Sequence, residues 1–88
     1  MPLVRLFATL RKMTGLTQVS LEGDTVAAVL TELCRQFPDL ETVLFEAGGL
    51  RPHFIVMVNG QNISLKQGLA TPVGPEDQVA VFPPIAGG

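Results

Sequence analysis

Thr25-Val26-Ala27-Ala28-Val29-Leu30-Thr31-Glu32-Leu33-Cys34-Arg35-Gln36-Phe37-Pro38 holds the strongest periodic signal in the chain. Val26, Val29, Leu30, Leu33, Cys34 and Phe37 fall at i, i+3, i+4, i+7, i+8 and i+11, one continuous apolar stripe at helical spacing. Thr31, Glu32, Arg35 and Gln36 occupy the other side. Asp24 or Thr25 is placed to cap the first free backbone N–H groups. Pro38 stops the helix, because the residue before a proline is pushed out of the helical region.

Upstream of the helix, Leu3–Ala8 is apolar enough for a buried strand that continues toward Leu10. Gly15 marks a turn, and Thr17–Leu21, with Val19 and Leu21 on one face, reads as a second strand closing a hairpin. Downstream, Asp39–Phe45 is expected to add one short helical turn. Glu46–Pro52, with Gly48-Gly49, reads as a loop. Phe54–Val58 is a wholly apolar strand of the kind buried on both faces or lying under a partner. Asn59-Gly60 is a hairpin turn, since both residue types tolerate positive φ. Asn62–Leu65 returns as a short strand, Gly68–Asp77 is a turn-rich connection, and Gln78–Phe82 alternates as the closing strand. The predicted fold class is therefore α+β: a β-grasp arrangement, with a four- or five-stranded mixed sheet packed on one main helix. The β-grasp domain is placed at residues 1–82 and an extended tail at 83–88.

An 88-residue chain fits one domain and leaves little volume for an enclosed active site. Six Lys and Arg stand against eight Asp and Glu with no basic run, which argues against nucleic acid as a partner. No apolar stretch approaches the ~20 residues of a membrane span, so no membrane partner is expected. The opening residues lack the charged-then-apolar design of a signal peptide. A single cysteine excludes an internal disulfide and is compatible with a reducing compartment, so a cytoplasmic location is expected.

Catalytic sets are poorly represented. One His and one Cys support neither a metal cluster nor a Cys-His pair, so no metal site is expected. His53 reads as the end of a loop, and Cys34 sits on the apolar stripe, where a free thiol behaves as a small hydrophobe. Glu22, Asp24, Glu76 and Asp77 read as solvated turn residues.

What remains is Phe82-Pro83-Pro84-Ile85-Ala86-Gly87-Gly88. Pro83-Pro84 holds the backbone extended and stiff. Six residues from Pro83 reach roughly 20 Å, enough to enter the active site of another protein. Gly87 and Gly88 lack Cβ atoms, so they thread a narrow channel and leave a terminal carboxylate unshielded. Such a carboxylate is ionised at neutral pH and is a poor electrophile. Joining it to AMP supplies a good leaving group, and a sulfur nucleophile can then displace the nucleotide to give a thiocarboxylate. Strand parity adds a candidate docking face. If Val79 and Val81 face the helix, Ala80 and Phe82 face outward, with Phe7, Ile55 and Met57 beside them.

These pieces resemble the ubiquitin-like sulfur carriers, nearest to the small subunit of molybdopterin synthase. The resemblance runs through Phe7-Ala8-Thr9-Leu10-Arg11 with Gly15, Gly23-Asp24-Thr25-Val26, Val58-Asn59-Gly60 and above all the terminal Phe82–Gly88 motif. It implies adenylation of Gly88 by a ubiquitin-activating-type enzyme and conversion of Gly88 to a thiocarboxylate. Pro83, Pro84, Ile85, Ala86 and Gly87 would thread into the partner. The resemblance further implies no cofactor on this chain, ATP and Mg being used by the activating partner. The sulfur acceptor would be the molybdopterin synthase large subunit or another sulfur-accepting enzyme. One segment departs from the shortest family members: Glu46–Phe54 is longer and resembles relatives serving cysteine synthesis or acting as archaeal protein modifiers. Sulfur delivery for cysteine, thiamine or tRNA thiolation, or isopeptide formation with lysines, are the alternative outcomes of the same activation.

Overall fold

A computed structural model describes residues 1–84. Strand β1 (Leu3–Leu6) is followed by helix α1 (Thr9–Thr14), strand β2 (Gln18–Ser20) and the main helix α2 (Val26–Gln36). A 3-10 turn at Pro38–Leu40 leads into a single helical turn, α3 (Glu41–Leu44), and a miniature hairpin of β3 (Phe45–Glu46) and β4 (Gly49–Leu50). Strands β5 (Ile55–Val58) and β6 (Gln61–Asn62) come next, then 3-10 turns at Ile63–Leu65 and Gly68–Ala70, and finally β7 (Gln78–Phe82).

The five-stranded sheet runs β2-β1-β7-β5-β6. The first and last strands lie side by side and parallel, with Val4 opposite Val79 and Leu6 opposite Val81. Every other pairing in that sheet is antiparallel, so the sheet is mixed and the β-grasp expectation holds. Val4, Leu6, Val56, Val79 and Val81 bury the inner face against Val26, Val29, Leu30 and Leu33 of α2. Full burial of one such side chain stabilises by about 1.5–3 kcal/mol. Of the two candidate caps, Thr25 acts: its Oγ1 accepts a hydrogen bond from Ala28 N at 3.1 Å. The Thr25–Pro72 bridge and the bond from Val26 N to Thr71 O tie the start of α2 to the late connection.

Four expectations need correction. Strand β1 stops at Leu6 and does not reach Ala8 or Leu10; the chain turns at Ala8 and forms α1. The chain leaves extended geometry at Ala8, at φ 53° and ψ −125°, and Leu10 is fully buried from the helix that follows and not from a longer strand. Gly15, at φ 75°, then ends α1 by donating its N–H to Arg11 O. The stretch read as a plain loop, Glu46–Pro52, holds most of the β3–β4 hairpin, which begins at Phe45 and turns at Ala47 and Gly48, both with positive φ. The returning strand is shorter than Asn62–Leu65: pairing ends at Asn62, whose side chain accepts from Ser64 N at 2.9 Å and starts a 3-10 turn instead. Finally, of the two expectations for the apolar strand β5, burial on both faces is not met: Ile55 is 41% exposed while Val56 is 1% exposed.

Candidate functional site

The strand that carries the tail, β7, lies between β1 and β5, and its outward residues define the open face of the sheet. Register places Ile55 opposite Phe82 and Met57 opposite Ala80 on one side, and Arg5 opposite Ala80 on the other. Phe7, one residue beyond β1, stacks on Phe82 with ring centroids 4.3 Å apart and planes 16° from parallel. The five residues read as one outward face are therefore brought together. Phe7, Met57, Ala80 and Phe82 are half-buried and Ile55 is exposed.

Two guanidinium groups that sequence reasoning missed complete this surface. Arg11 lies over the Phe7 ring at 4.8 Å from its centroid, and Arg5 approaches the same ring at 5.7 Å, both within cation–π range. Arg11 Nε also donates to Leu6 O at 2.6 Å, which fixes the side chain back over the end of β1. The signal for Arg11 lay in its spacing: four residues after Phe7, it lands beside that ring once Thr9–Thr14 is helical. Holding this arrangement requires Ala8 at φ 53°, ψ −125°, a conformation that L-residues other than glycine seldom adopt.

The open face ends at the tail. Pro83 is half-buried and Pro84 exposed, next to the aromatic stack in sequence. Ile85, Ala86, Gly87 and Gly88 lie outside the described residues.

The remaining chemistry-bearing groups are kept apart. Cys34 is 7% exposed on α2. Burial, aided by the Glu41 carboxylate, pushes its thiol up to about 11, so the protonated form dominates at neutral pH and it is a poor nucleophile. His53 is exposed at φ 70° and ends the loop before β5. A surface groove of about 440 Å³ opens on the helical side between α2 and the β3–β4 hairpin, lined in part by Ala27, Cys34, Glu41, Phe45 and Leu69. Among the described residues no three His, Cys, Asp or Glu side chains come together to hold a metal ion. No described helix is long and apolar enough to cross a membrane.

The match of the ThiS family model spans residues 4–88, nearly the whole chain and the tail with it. The chain belongs to the ThiS family. Relatives of this ubiquitin-like sulfur carrier family include the small archaeal modifier protein 3 of Haloferax volcanii, 38% identical over 97% of this chain and 96% of its own length. The sulfur carrier protein CysO of Mycobacterium tuberculosis is 31% identical over 84% of this chain and 83% of its own. Among solved structures, the BexX/CysO complex of Amycolatopsis orientalis contains a chain that superposes with a TM-score of 0.90. That chain is 25% identical and both chains are covered in full. The β-grasp architecture of this ThiS-family member is thus shared with carriers and modifiers alike.

Proposed function

We propose that this protein is a sulfur carrier: Gly88 is its free carboxyl end, adenylated by a ubiquitin-activating-type enzyme and then converted to a thiocarboxylate. The observation that carries the reading is the junction at Phe82. The strand bearing the tail is the one flanked on both sides by the apolar face, so a partner seated on Phe7, Ile55, Met57, Ala80 and Phe82 lies where the tail departs. The partner supplies ATP, Mg and the sulfur. The small domain contributes recognition and a slim arm, Pro83, Pro84, Ile85, Ala86 and Gly87, that carries the reacting carboxyl into a second active site. Atoms balance in two steps. The carboxylate attacks the α-phosphorus of ATP and releases pyrophosphate, and a sulfide-level donor delivering HS⁻ then attacks the acyl carbon, expels AMP and leaves the thiocarboxylate. Cys34 takes no part, being buried and protonated.

The acceptor of the sulfur is the finer question. A molybdopterin synthase large subunit fits the tail motif. The β3–β4 hairpin, which opens the longer Glu46–Phe54 segment, and a relative named CysO support a different sulfur-accepting enzyme. A second reading is favoured by the relative named as an archaeal modifier: the same acyl adenylate attacked by a lysine amine to form an isopeptide bond. Purification of the chain from its own cells separates these outcomes. A carrier returns with one acceptor enzyme and a thiocarboxylate mass, and a modifier returns as a ladder of conjugates. Recovery of neither species from cells that express an activating enzyme contradicts the proposal.

A further inference from the structure

We infer that the open sheet face recognises a partner surface that is acidic around an apolar centre, with Arg11 as the main charge contact and Arg5 beside it. The inference rests on the sulfur-carrier reading for the identity of the partner, but its physical basis is separate.

Charge is distributed unevenly along the chain. No acid precedes Glu22, whereas Arg5, Arg11 and Lys12 all fall in that stretch; the remainder holds three cations against eight acids. The fold turns this asymmetry into a face. Strand residues that share the outward side are Gln18 and Ser20 of β2, Leu3 and Arg5 of β1, Gln78, Ala80 and Phe82 of β7, and Ile55 and Met57 of β5. None is acidic. Among the described residues, Arg35 and Arg51 are paired with Glu32 and Glu46, while neither Arg5 nor Arg11 meets a carboxylate. A protein of net charge −2 therefore presents the two arginines that meet no carboxylate among the described residues beside the Phe7–Phe82 stack.

Arg11 is also preorganised. Its Nε is committed to Leu6 O and its Cζ sits 4.8 Å from the Phe7 ring centroid, which leaves both Nη groups to meet a carboxylate in forked geometry. The strained Ala8 backbone sustains this placement, and strain of that kind persists where the surroundings over-determine it, often at functional sites. A carboxylate brought here replaces water around a cation that is already fixed, so little side-chain entropy is lost on binding. The Phe7–Phe82 stack and Ile55 meanwhile offer an apolar centre. An apolar centre with charged groups at its rim suits a protein surface of opposite charge, where the charges set encounter rate and register.

The test measures binding of the intact chain to the ubiquitin-activating-type enzyme of its own cell, without ATP, at low and high salt. Arg11→Glu is expected to weaken binding by at least about tenfold, and Arg11→Lys to fall between it and wild type because the charge remains but the fork is lost. Arg35→Gln, a charge change on the helical side, is expected to leave affinity within about twofold of wild type. Wild-type affinity should fall with salt, and that of Arg11→Glu should not. Arg5→Glu serves if Arg11→Glu fails to fold. Equal binding by wild type and both folded charge reversals overturns the proposal. So does capture of wild type by phosphatidylserine vesicles in place of the enzyme. Adenylation of Gly88 is scored separately. Arg11-dependent binding with no adenylate formed sinks the reading of the terminus and leaves this surface standing.

Discussion

Asn59 and Asp77, eighteen residues apart, meet where β5 turns back beside the start of β7: Asn59 Nδ2 donates to Asp77 Oδ1 at 2.8 Å. The same asparagine accepts from Gln78 N through its Oδ1 at 2.9 Å, and its own N–H bonds Gln78 O. Asp77 Oδ2 accepts from Gly74 N at 2.7 Å. A turn residue whose αL backbone starts a hairpin thus also pins the strand that carries the tail.

This contact has a pH signature. The Gly74 N–H, and secondarily the Asn59 amide, hold the Asp77 carboxyl below its ordinary range. A group with a depressed folded-state pKa contributes stability that is present above the unfolded pKa and lost as pH falls through the folded one. Asp77→Ala should therefore be less stable than wild type at neutral pH. The gap should narrow as the solution is acidified below about pH 4. Denaturant midpoints across that range measure it, and a gap that stays constant would sink the assignment.

Gly23 precedes the Thr25 cap at φ +152°, and a Cβ there would lie 2.7 Å from both Val29 Cγ2 and Val29 N. The backbone nitrogen cannot move without disturbing the first turn of α2. Gly23→Ala should cost about 3 kcal/mol, combining backbone strain with overpacking. The melting temperature should fall by more than about 10 °C for a domain of this size. A melting temperature within a degree or two of wild type would show that the loop relaxes freely.

Cys34→Ala should cost on the order of 1 kcal/mol, for one small group removed from a site that already borders the groove on the helical side. Thiocarboxylate formation should be untouched, because a thiol pushed up to about 11 by burial is not the sulfur that reacts. Loss of sulfur loading in a folded Cys34→Ala protein would place this thiol in the mechanism.

Phe82→Asp replaces half of the aromatic stack and puts a carboxylate at the centre of the open face. Its far-ultraviolet circular dichroism should match wild type, since Val79 and Val81 keep the inner face filled. Affinity for the activating enzyme should fall by at least about tenfold. Undiminished binding by the folded variant would remove the face from the account.

How much of this was legible in the sequence depended on whether local pattern or long-range packing decided each element. The stripe from Val26 to Phe37 and the Asn59-Gly60 turn are locally consistent, and both form where expected. The outward parity of Ala80 and Phe82 also held, because β7 alternates cleanly between two antiparallel or parallel neighbours. α1 was missed because Phe7-Ala8-Thr9-Leu10 is apolar enough to extend a strand. The break is made by the positive φ at Ala8, a turn that the local apolar pattern does not show, after which Leu10 is buried from a helix. With α1 missing, Arg11 had no position, and the cationic part of the open sheet face stayed invisible. The β3–β4 hairpin was hidden because two-residue strands have too few positions to show alternation.

The central claim is that Gly88 reacts as the free end of the chain, and mass spectrometry after sulfur loading tests it most directly. Because the sheet ends at Phe82, a change at the tip should leave melting behaviour unaltered. Wild-type protein and a variant capped with one alanine after Gly88 are each incubated with the activating enzyme, ATP and a sulfur source. Wild type should gain the mass difference of one oxygen replaced by sulfur, and the capped protein, whose Gly88 carboxylate has become an amide, should gain nothing. Equal loading of the untrimmed capped protein would contradict the account.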